Sequence, residues 1–406
     1  MTGISAWDRK ATKGTPSLAV RVLELIASGQ ATSRAELAER LGAAASTISL
    51  AVAHLVDHGL VAEEGTQSST GGRPRKALRV GSRDDFAVAA DLGGRHARIG
   101  VVLPGGGLTD VSTVPFLIAD GPEAALPRLA EALEALAEQR EPGRLRGVGL
   151  SLPGPVDTAS GSVVRPSRMP GWHRFPVAAW LQERFGVPAA VDNDANCMAV
   201  GEHTVRPDGN AQTIMVKIGS AIGAGVIVEG RLYRGARGAA GDITHIRIDA
   251  GAGIPCSCGN TGCLETVASG AALVRILRER GAEVNSTEDV ARLALDGDPL
   301  ATRTVRRAGD YLGQVLAANV NFFNPDAVYL GGILSTLEQF VAAVRSRLYE
   351  SCHPLVTEHL TIERTRLGAD AGLVGAGQFA LQRALAHALH EVGGTDRIGT
   401  LAPRHP

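Results

Sequence analysis

The sequence predicts an α/β protein with a small helical module at its front, a larger glycine-rich body, and a metal-binding loop inside that body. Three observations carry the expectation. Two amphipathic helical patterns separated by a few residues fall between positions 33 and 59, the signature of a helix-turn-helix. From about residue 83 onward, strands alternate with glycine-rich turns and helices. Finally, His245, Cys256, Cys258 and Cys263 are spaced as one imidazole and three thiolates around a single ion.

The first helix fits from Pro16, a good first helical residue after Thr15, with Leu18, Val22, Leu25 and Ile26 on one apolar face. The second reads from SRAELAERLG. Ser33 and Glu36 make a capping box, Leu37 and Leu41 share a face, and Gly42 stops the helix. The third, STISLAVAHLVDHG, repeats apolar residues at Ile48, Val52, Leu55 and Val56 and ends at Gly59. In a helix-turn-helix this last helix enters the major groove. Ser46, Thr47, Ser49 and Leu50, next to Ala45, are then the candidate base-facing residues. Serine and threonine can hydrogen-bond base edges, and leucine or alanine can touch a thymine methyl. Residues 60–63 and 77–80 pair as the strands of a wing. Its tip carries Arg73, Arg75 and Lys76, which can neutralise phosphates or enter a narrow minor groove. A three-helix bundle that docks a protein would show the same helices; the basic wing favours DNA. Residues 1–82 are therefore expected to form a winged helix-turn-helix domain.

In the body, residues 86–116 read as three strands joined by short turns, the first ending at Asp91 ahead of Gly93 and Gly94. PRLAEALEALAEQR is a helix, and GVGLSLPGPVD a strand running into a loop. AAVDNDANCMAVGEH is a strand followed by a helix start. MVKIGSAIGAGVIVEGRLYRGARG is a glycine-rich hairpin, and AVYLGGIL a further buried strand. Repeated strand-then-glycine turns suit a cleft that cradles a phosphate or a sugar, although each pair alone is also what a tight hairpin needs. VDNDAN alone reads equally well as a turn with helix-capping residues. Residues 392–406 read as a disordered tail.

One imidazole and three thiolates close a tetrahedral shell with no position left for a reactive water. The expected ion is a zinc that staples the fold and takes no part in catalysis. Unliganded structural cysteines are the alternative. Cys197 and Cys352 lie elsewhere and read as packed thiols.

Taken in order, VDNDANCMAVGE, the glycine segment over 218–245 and CSCGNTGCLE resemble the ROK family (repressors, open reading frames, kinases), over about residues 85–385. The resemblance implies a two-lobed actin/hexokinase-like, RNase H-like ATPase fold behind the winged helix-turn-helix. Residues 83–204 would be the first lobe, rejoined by a C-terminal helix near 376–391, and 205–375 the second, with the zinc site. The appended DNA-binding module is similar to the repressor branch, which includes xylose and N-acetylglucosamine repressors. The resemblance also implies roles. His245 would bind zinc through one ring nitrogen and offer the other N–H to a sugar hydroxyl, its tautomer fixed by the metal. Glu265, Asn193 and Asp242 would join it in binding the ligand, and Asp194 would be the general base of a kinase.

This chain departs from the family's kinase pattern. Asp-x-Gly-Gly-Thr followed by Lys or Asn becomes DLGGRHAR, with Arg95 and His96 in the turn. Gly-Thr-Gly-Ile-Gly-Gly-Gly becomes GSAIGAG, with methyl groups at Ala221 and Ala224. Phosphoryl transfer needs close backbone approach to the phosphates, so ATP use is expected to be lost and Asp194 to persist as a vestigial base. On the sugar side, Glu-x-Gly-His becomes DITH, with the shorter Asp242 and with Thr244 for glycine. Arg168 stands where asparagine is common; it would suit an anionic ligand such as a sugar phosphate, or form a surface salt bridge.

Composition bounds the rest. The 406 residues, 44% hydrophobic and 20% charged, suit two or three domains with real cores. No apolar run spans a bilayer and the opening residues lack a secretory signal. No membrane association, a cytoplasmic placement and unpaired cysteines are expected. Net charge is −1, yet residues 1–80 carry ten Lys/Arg against seven Asp/Glu. The expected function is a sugar-responsive transcriptional regulator, most simply a repressor. It would bind operator DNA as a homodimer or homotetramer and take a sugar, amino sugar or sugar phosphate without phosphorylating it. An active sugar kinase with an appended DNA-binding domain, and a body that docks a partner protein, are the alternatives. Residues 64–84 are the expected route from the cleft to the DNA-binding head.

Overall fold

The structure, a computed structural model, describes residues 17–27, 30–67, 75–82, 84–206 and 210–395. The front module holds helices α1 (Leu18–Ala27), α2 (Arg34–Leu41) and α3 (Ala45–Asp57) and strands β1 (Val61–Gln67) and β2 (Arg75–Val80). Ser33 caps α2 by accepting the Glu36 N–H, while the Glu36 carboxylate closes on the Thr32 N–H at 2.7 Å. The reciprocal bond thus goes one residue further back than a capping box would send it. α2 ends at Gly42 in the left-handed conformation, φ 59°, which glycine adopts without a Cβ penalty. Val22, Leu23, Ile26, Leu37, Ile48, Val52 and Leu55 form the core beneath. The wing strands pair antiparallel, Val61 opposite Val80, and run further than the sequence pattern suggests. The wing tip, Arg73 included, lies outside the described residues.

The first lobe follows with β3 (Phe86–Leu92), β4 (His96–Val102), β5 (Leu108–Pro115), α4 (Pro122–Glu138) and β6 (Leu145–Leu152). Next come the short strands β7 (Val156–Asp157) and β8 (Ser162–Val163), then α5 (Val177–Phe185), β9 (Ala189–Asn193) and α6 (Asp194–Val205). The second lobe holds β10 (Thr213–Ile218), β11 (Ile222–Val228), β12 (Arg231–Tyr233), α7 (Glu265–Ala268), α8 (Gly270–Arg278), α9 (Thr287–Leu295) and α10 (Pro299–Phe323). It closes with β13 (Ala327–Gly331), α11 (Glu338–Ser351), α12 (Pro354–Thr357) and β14 (Thr361–Arg364), before the last helix, α13 (Ala371–Thr395). The segment beyond Thr395, expected as a tail, lies outside the described residues.

Each lobe is built on a five-stranded sheet, and the two sheets share one plan. The orders are β5-β4-β3-β6-β9 and β12-β11-β10-β13-β14. In both, an antiparallel meander is extended by two parallel strands on the far side of its first strand. The first strands are buried on both faces, so both faces need cover. Phe86, Val88, Ala90 and Leu92 of β3 face α4 and α5, whereas Ala87 and Ala89 face α13. Ile214, Val216 and Ile218 of β10 join the helices of the second lobe, whereas Met215 packs with Met198 and Ala199 of α6.

α6 and α13 therefore fill the space between the sheets, and they cross closely. A Cβ on Gly375 would stand 1.8 Å from the Cys197 carbonyl oxygen, and one on Gly201 would stand 2.1 Å from that of Ala371. Glycine at both positions is a steric requirement. Beyond the crossing, Leu385, Ala388 and Leu389 of α13 enter the core of the front module. The linker is fixed as well: the buried carboxylate of Asp85 accepts the Ser82 N–H at 2.7 Å and pairs with Arg146 at 2.8 Å. Among the described residues, no helix is long and apolar enough to cross a membrane.

Candidate ligand cleft and metal centre

Three charged groups meet where the first strands of the two sheets approach α6. Asp91 stands near the end of β3, Asp194 is the first residue of α6, and Lys217 projects from β10. The Lys217 ammonium is ion-paired with Asp194 Oδ2, while Asp194 Oδ1 accepts the Ala195 N–H at 2.8 Å. The Ser151 hydroxyl donates to Asp91 Oδ1 at 2.5 Å. Burial pushes the Asp91 carboxyl above its usual range, against the pull of Lys217. Burial alone would lower the Lys217 ammonium; Asp194 and Asp91 together carry it above its usual value. A carboxylate that is to take a proton from a hydroxyl needs a free oxygen aimed at it. Both oxygens of Asp194 are engaged. Lys217 escaped the sequence reading, although a single ammonium within the apolar run MVKI, just ahead of a glycine turn, was the signal.

Asn193 is the N-cap of α6. Its Oδ1 accepts the Ala195 N–H at 3.0 Å and its amide donates to the Gly154 carbonyl at 3.1 Å. The capping reading of VDNDAN therefore describes its present bonds. Asp192, just before it, takes the Asn193 N–H and the Asn196 amide, and Arg234 lies against its other oxygen.

Between the lobes, the departures at 168 and 244 converge on one carboxylate. Arg168 Nη2 donates to Glu265 Oε1 at 2.9 Å, and the Thr244 hydroxyl donates to Oε2 at 2.8 Å. The Ile222 N–H also donates to Oε2, at 3.2 Å. Glu265 is buried, whereas the Arg168 side chain is 45% exposed, so a deep acid is neutralised by a cation at the mouth. The salt-bridge alternative for Arg168 is thus present, but its partner is the residue expected to hold a sugar hydroxyl. Asp242 stays exposed, with no described side-chain bond to this group.

The cluster of His245, Cys256, Cys258 and Cys263 brings four ligand atoms within 4.8 Å of one another. Cys258 and Cys263 sulfurs are 3.7 Å apart, and Cys256 sulfur is 3.5 Å from His245 Nδ1. Metal–sulfur bonds of about 2.3 Å at tetrahedral angles place sulfurs roughly 3.8 Å apart, so the set fits one small ion. Burial and the adjacent sulfurs push the Cys263 thiol up to about 12. A cation is what lets three such sulfurs share this space as thiolates. With Nδ1 turned to the Cys256 sulfur, His245 keeps its other ring nitrogen, Nε2, off that contact. The loop is tied to the acid it carries: Leu264 N–H bonds Ile246 O at 2.9 Å and Glu265 N–H bonds Thr244 O at 3.0 Å. Cys197 and Cys352 are buried free thiols, as their positions suggested.

At the head, Ser46, Thr47, Ser49 and Leu50 are exposed on α3, Leu50 at 74%. Lys76 is exposed but pairs with Glu63 at 2.8 Å, and Glu63 also pairs with Arg34. Arg75 opens β2, and its side chain, like all of Arg73, lies outside the described residues.

Known proteins resemble both parts of the chain. The IclR helix-turn-helix domain matches residues 19–65. The xylose repressor of Bacillus spizizenii is 29% identical over 90% of this chain and 94% of its own length. A glucokinase of Halalkalibacterium halodurans is 30% identical over 74% of this chain and 96% of its own. The crystal structure of a ROK family transcriptional regulator, a homologue of the E. coli MLC protein, superposes with a TM-score of 0.75. It is 27% identical and covers 93% of this chain and 98% of that one. The ROK family profile matches residues 87–383, most of the molecule, and the chain belongs to that family.

Proposed function

We propose that the protein is a sugar-responsive repressor: the head binds operator DNA, and a sugar, amino sugar or sugar phosphate in the cleft changes that binding without being phosphorylated. One observation carries the reading. α13 touches Asp91 at one end and completes the core of the head at the other. A Cβ on Gly372 would lie 2.6 Å from Asp91 Oδ2, and Leu389 is buried among the head's apolar residues. Closing the cleft therefore moves a helix that the head cannot ignore. A ligand shifts the head only if it prefers one cleft state over the other. The Ser82 N–H bonded to Asp85, and Asp85 paired with Arg146, supply a second tether.

The ion we assign to the centre is zinc, from its three sulfurs and one imidazole. It holds His245 and Glu265 at fixed places on the cleft wall. A dimer reading a pseudo-palindromic operator suits a single short recognition helix per chain. Asn193, Asp194, His245, Glu265 and Arg168 are the residues assigned to the ligand; Ser46, Thr47, Ser49, Leu50 and Lys76 are those assigned to DNA.

The test pairs two measurements on the metal-loaded protein. Operator binding by fluorescence anisotropy is followed against glucose, xylose, glucosamine, N-acetylglucosamine and their 6-phosphates, beside an assay for ATP-dependent phosphorylation. Operator release or tightening with one sugar and no phosphate transfer supports the repressor. Phosphate transfer abolished by Asp194→Asn would establish the second reading, a sugar kinase with a DNA-binding head, which the glucokinase likeness and the retained Asp194 favour.

A further inference from the structure

We propose that the groove between the β7–β8 hairpin and the loop after β12 is a second ligand site, for a small metabolite carrying a phosphoryl group. The cavity is about 710 Å³, within the usual range for small-molecule sites, and its lining includes Arg165, Arg174, Arg237 and His173. It shares none of these residues with the Arg168–Glu265 pair or the group of Asp91, Asp194 and Lys217. The site stands apart from the repressor reading and survives its failure.

Three arginines line this one space. None of them has an ion pair with a described acid. Elsewhere on the surface arginines sit against acids, such as Arg184 on Glu134 and Arg347 on Asp310. The lining does hold a carboxylate, Asp157, but it serves its own turn. It accepts the Ala159 N–H at 3.0 Å and the Ser160 hydroxyl at 2.8 Å.

The backbone is held in an uncommon shape there. Arg165 and Arg174 have φ of 47° and 61°, in the left-handed region that long side chains seldom occupy. Hydrogen bonds fix both. Arg165 N–H donates to His173 Nδ1 at 3.0 Å, and Arg174 N–H donates to the Val163 carbonyl at 2.8 Å. Because Nδ1 accepts, the neutral His173 ring carries its proton on Nε2 and has that donor to spare. Several forked donors around one space match the oxygens of a phosphoryl group better than a planar carboxylate alone. The volume leaves room for the rest of a phosphate ester. Two walls come from different lobes: Arg237 follows β12, and a Cβ on the neighbouring Gly238 would stand 3.9 Å from Val156 O. A bound anion would therefore bridge the lobes.

The experiment is calorimetric titration of the full, metal-loaded chain with pyrophosphate and with glycerol 3-phosphate, glycerol serving as the uncharged control. We expect one site, weakened about tenfold or more by Arg237→Gln and by Arg174→Gly, which keeps the backbone shape, and unchanged by Arg184→Gln, a surface arginine paired with Glu134. Melting curves of the variants report on folding, and Arg237→Gln, on an exposed loop, gives the answer if Arg174→Gly unfolds. Three results would overturn the site. One is no binding at millimolar pyrophosphate. Another is binding lost in Arg168→Gln and kept in Arg237→Gln, which puts the anion in the sugar cleft. The third is binding of a random DNA duplex, lost in the same variants, with no response to either small anion.

Discussion

Arg168 of the first lobe and Glu265 of the second form a direct ion pair between the lobes, with Nη2 2.9 Å from Oε1. A sugar hydroxyl that is to reach this carboxylate must compete with the guanidinium. The arginine is half exposed, so the pair is worth about 1 kcal/mol at most. Arg168→Asn should therefore strengthen binding of the neutral sugar that moves the head by about fivefold, and weaken binding of any 6-phosphate. Calorimetry on the two ligand forms checks both directions, and equal affinities in variant and parent would remove Arg168 from the ligand's path.

Lys217 and Asp194 form a paired charge with little access to water. Lys217→Met would leave two carboxylates, Asp194 and Asp91, without their shared cation. Removing one member of a buried pair costs about 3–5 kcal/mol. Asp194→Asn added to the same chain should recover part of that loss, and denaturant unfolding of the four-member cycle measures it. Independent, additive losses would mean the pair is not coupled.

Leu389 belongs to the body's last helix and to the head's core at once. Leu389→Ala should cost the head about 2–5 kcal/mol. Operator affinity should fall and residues 18–80 should become sensitive to protease, while metal content stays whole. An unchanged operator titration would sever the mechanical link assigned to α13.

Cys258→Ser takes one sulfur from the centre. The loaded metal should be lost or loosened, the melting temperature of the body should drop, and the sugar response should fade with it, because Thr244, His245, Cys263 and Glu265 are bonded neighbours. Elemental analysis beside calorimetry separates loss of metal from loss of fold.

Asp289 sits in the capping box of α9, where the Asn285 N–H, then Arg292 and Ser286, hold its carboxyl at about 2 against an ordinary 3.8. A depressed carboxyl contributes stability above its ordinary value and loses it as pH falls through the folded one. The contribution of this cap should fade between pH 3.8 and about 2. Carbon-detected titration of the Asp289 carboxyl should show a midpoint near the lower figure; a midpoint at the ordinary value would mean the cap is open in solution.

Local signals carried far in this chain. Ser33 caps α2, Gly42 ends it, and the glycines among the cysteines let the loop fold back until four ligand atoms meet. Each depends on residues a few positions apart, which is the range over which backbone preferences act. The ion pair of Arg168 with Glu265 spans 97 positions, and Leu389 joins a core that begins at Ala19. No periodicity reports such partners; the tertiary fold brings them together. Asn193 shows the limit from the other side. Ligand and cap were equally compatible with VDNDAN, and the bonds it makes are those of a cap.

The two sheets repeat one strand order, and the repeat reaches individual side chains. Near the end of each first strand, ahead of a glycine turn, β3 reads Asp91-Leu92-Gly93-Gly94 and β10 reads Lys217-Ile218-Gly219-Ser220. Matching places hold opposite signs. Two identical halves would meet there as acid against acid or base against base, and would repel. These halves share a plan and carry complementary charges. The seam between them is drawn shut by its own charges, and an effector has only to choose how firmly it stays so.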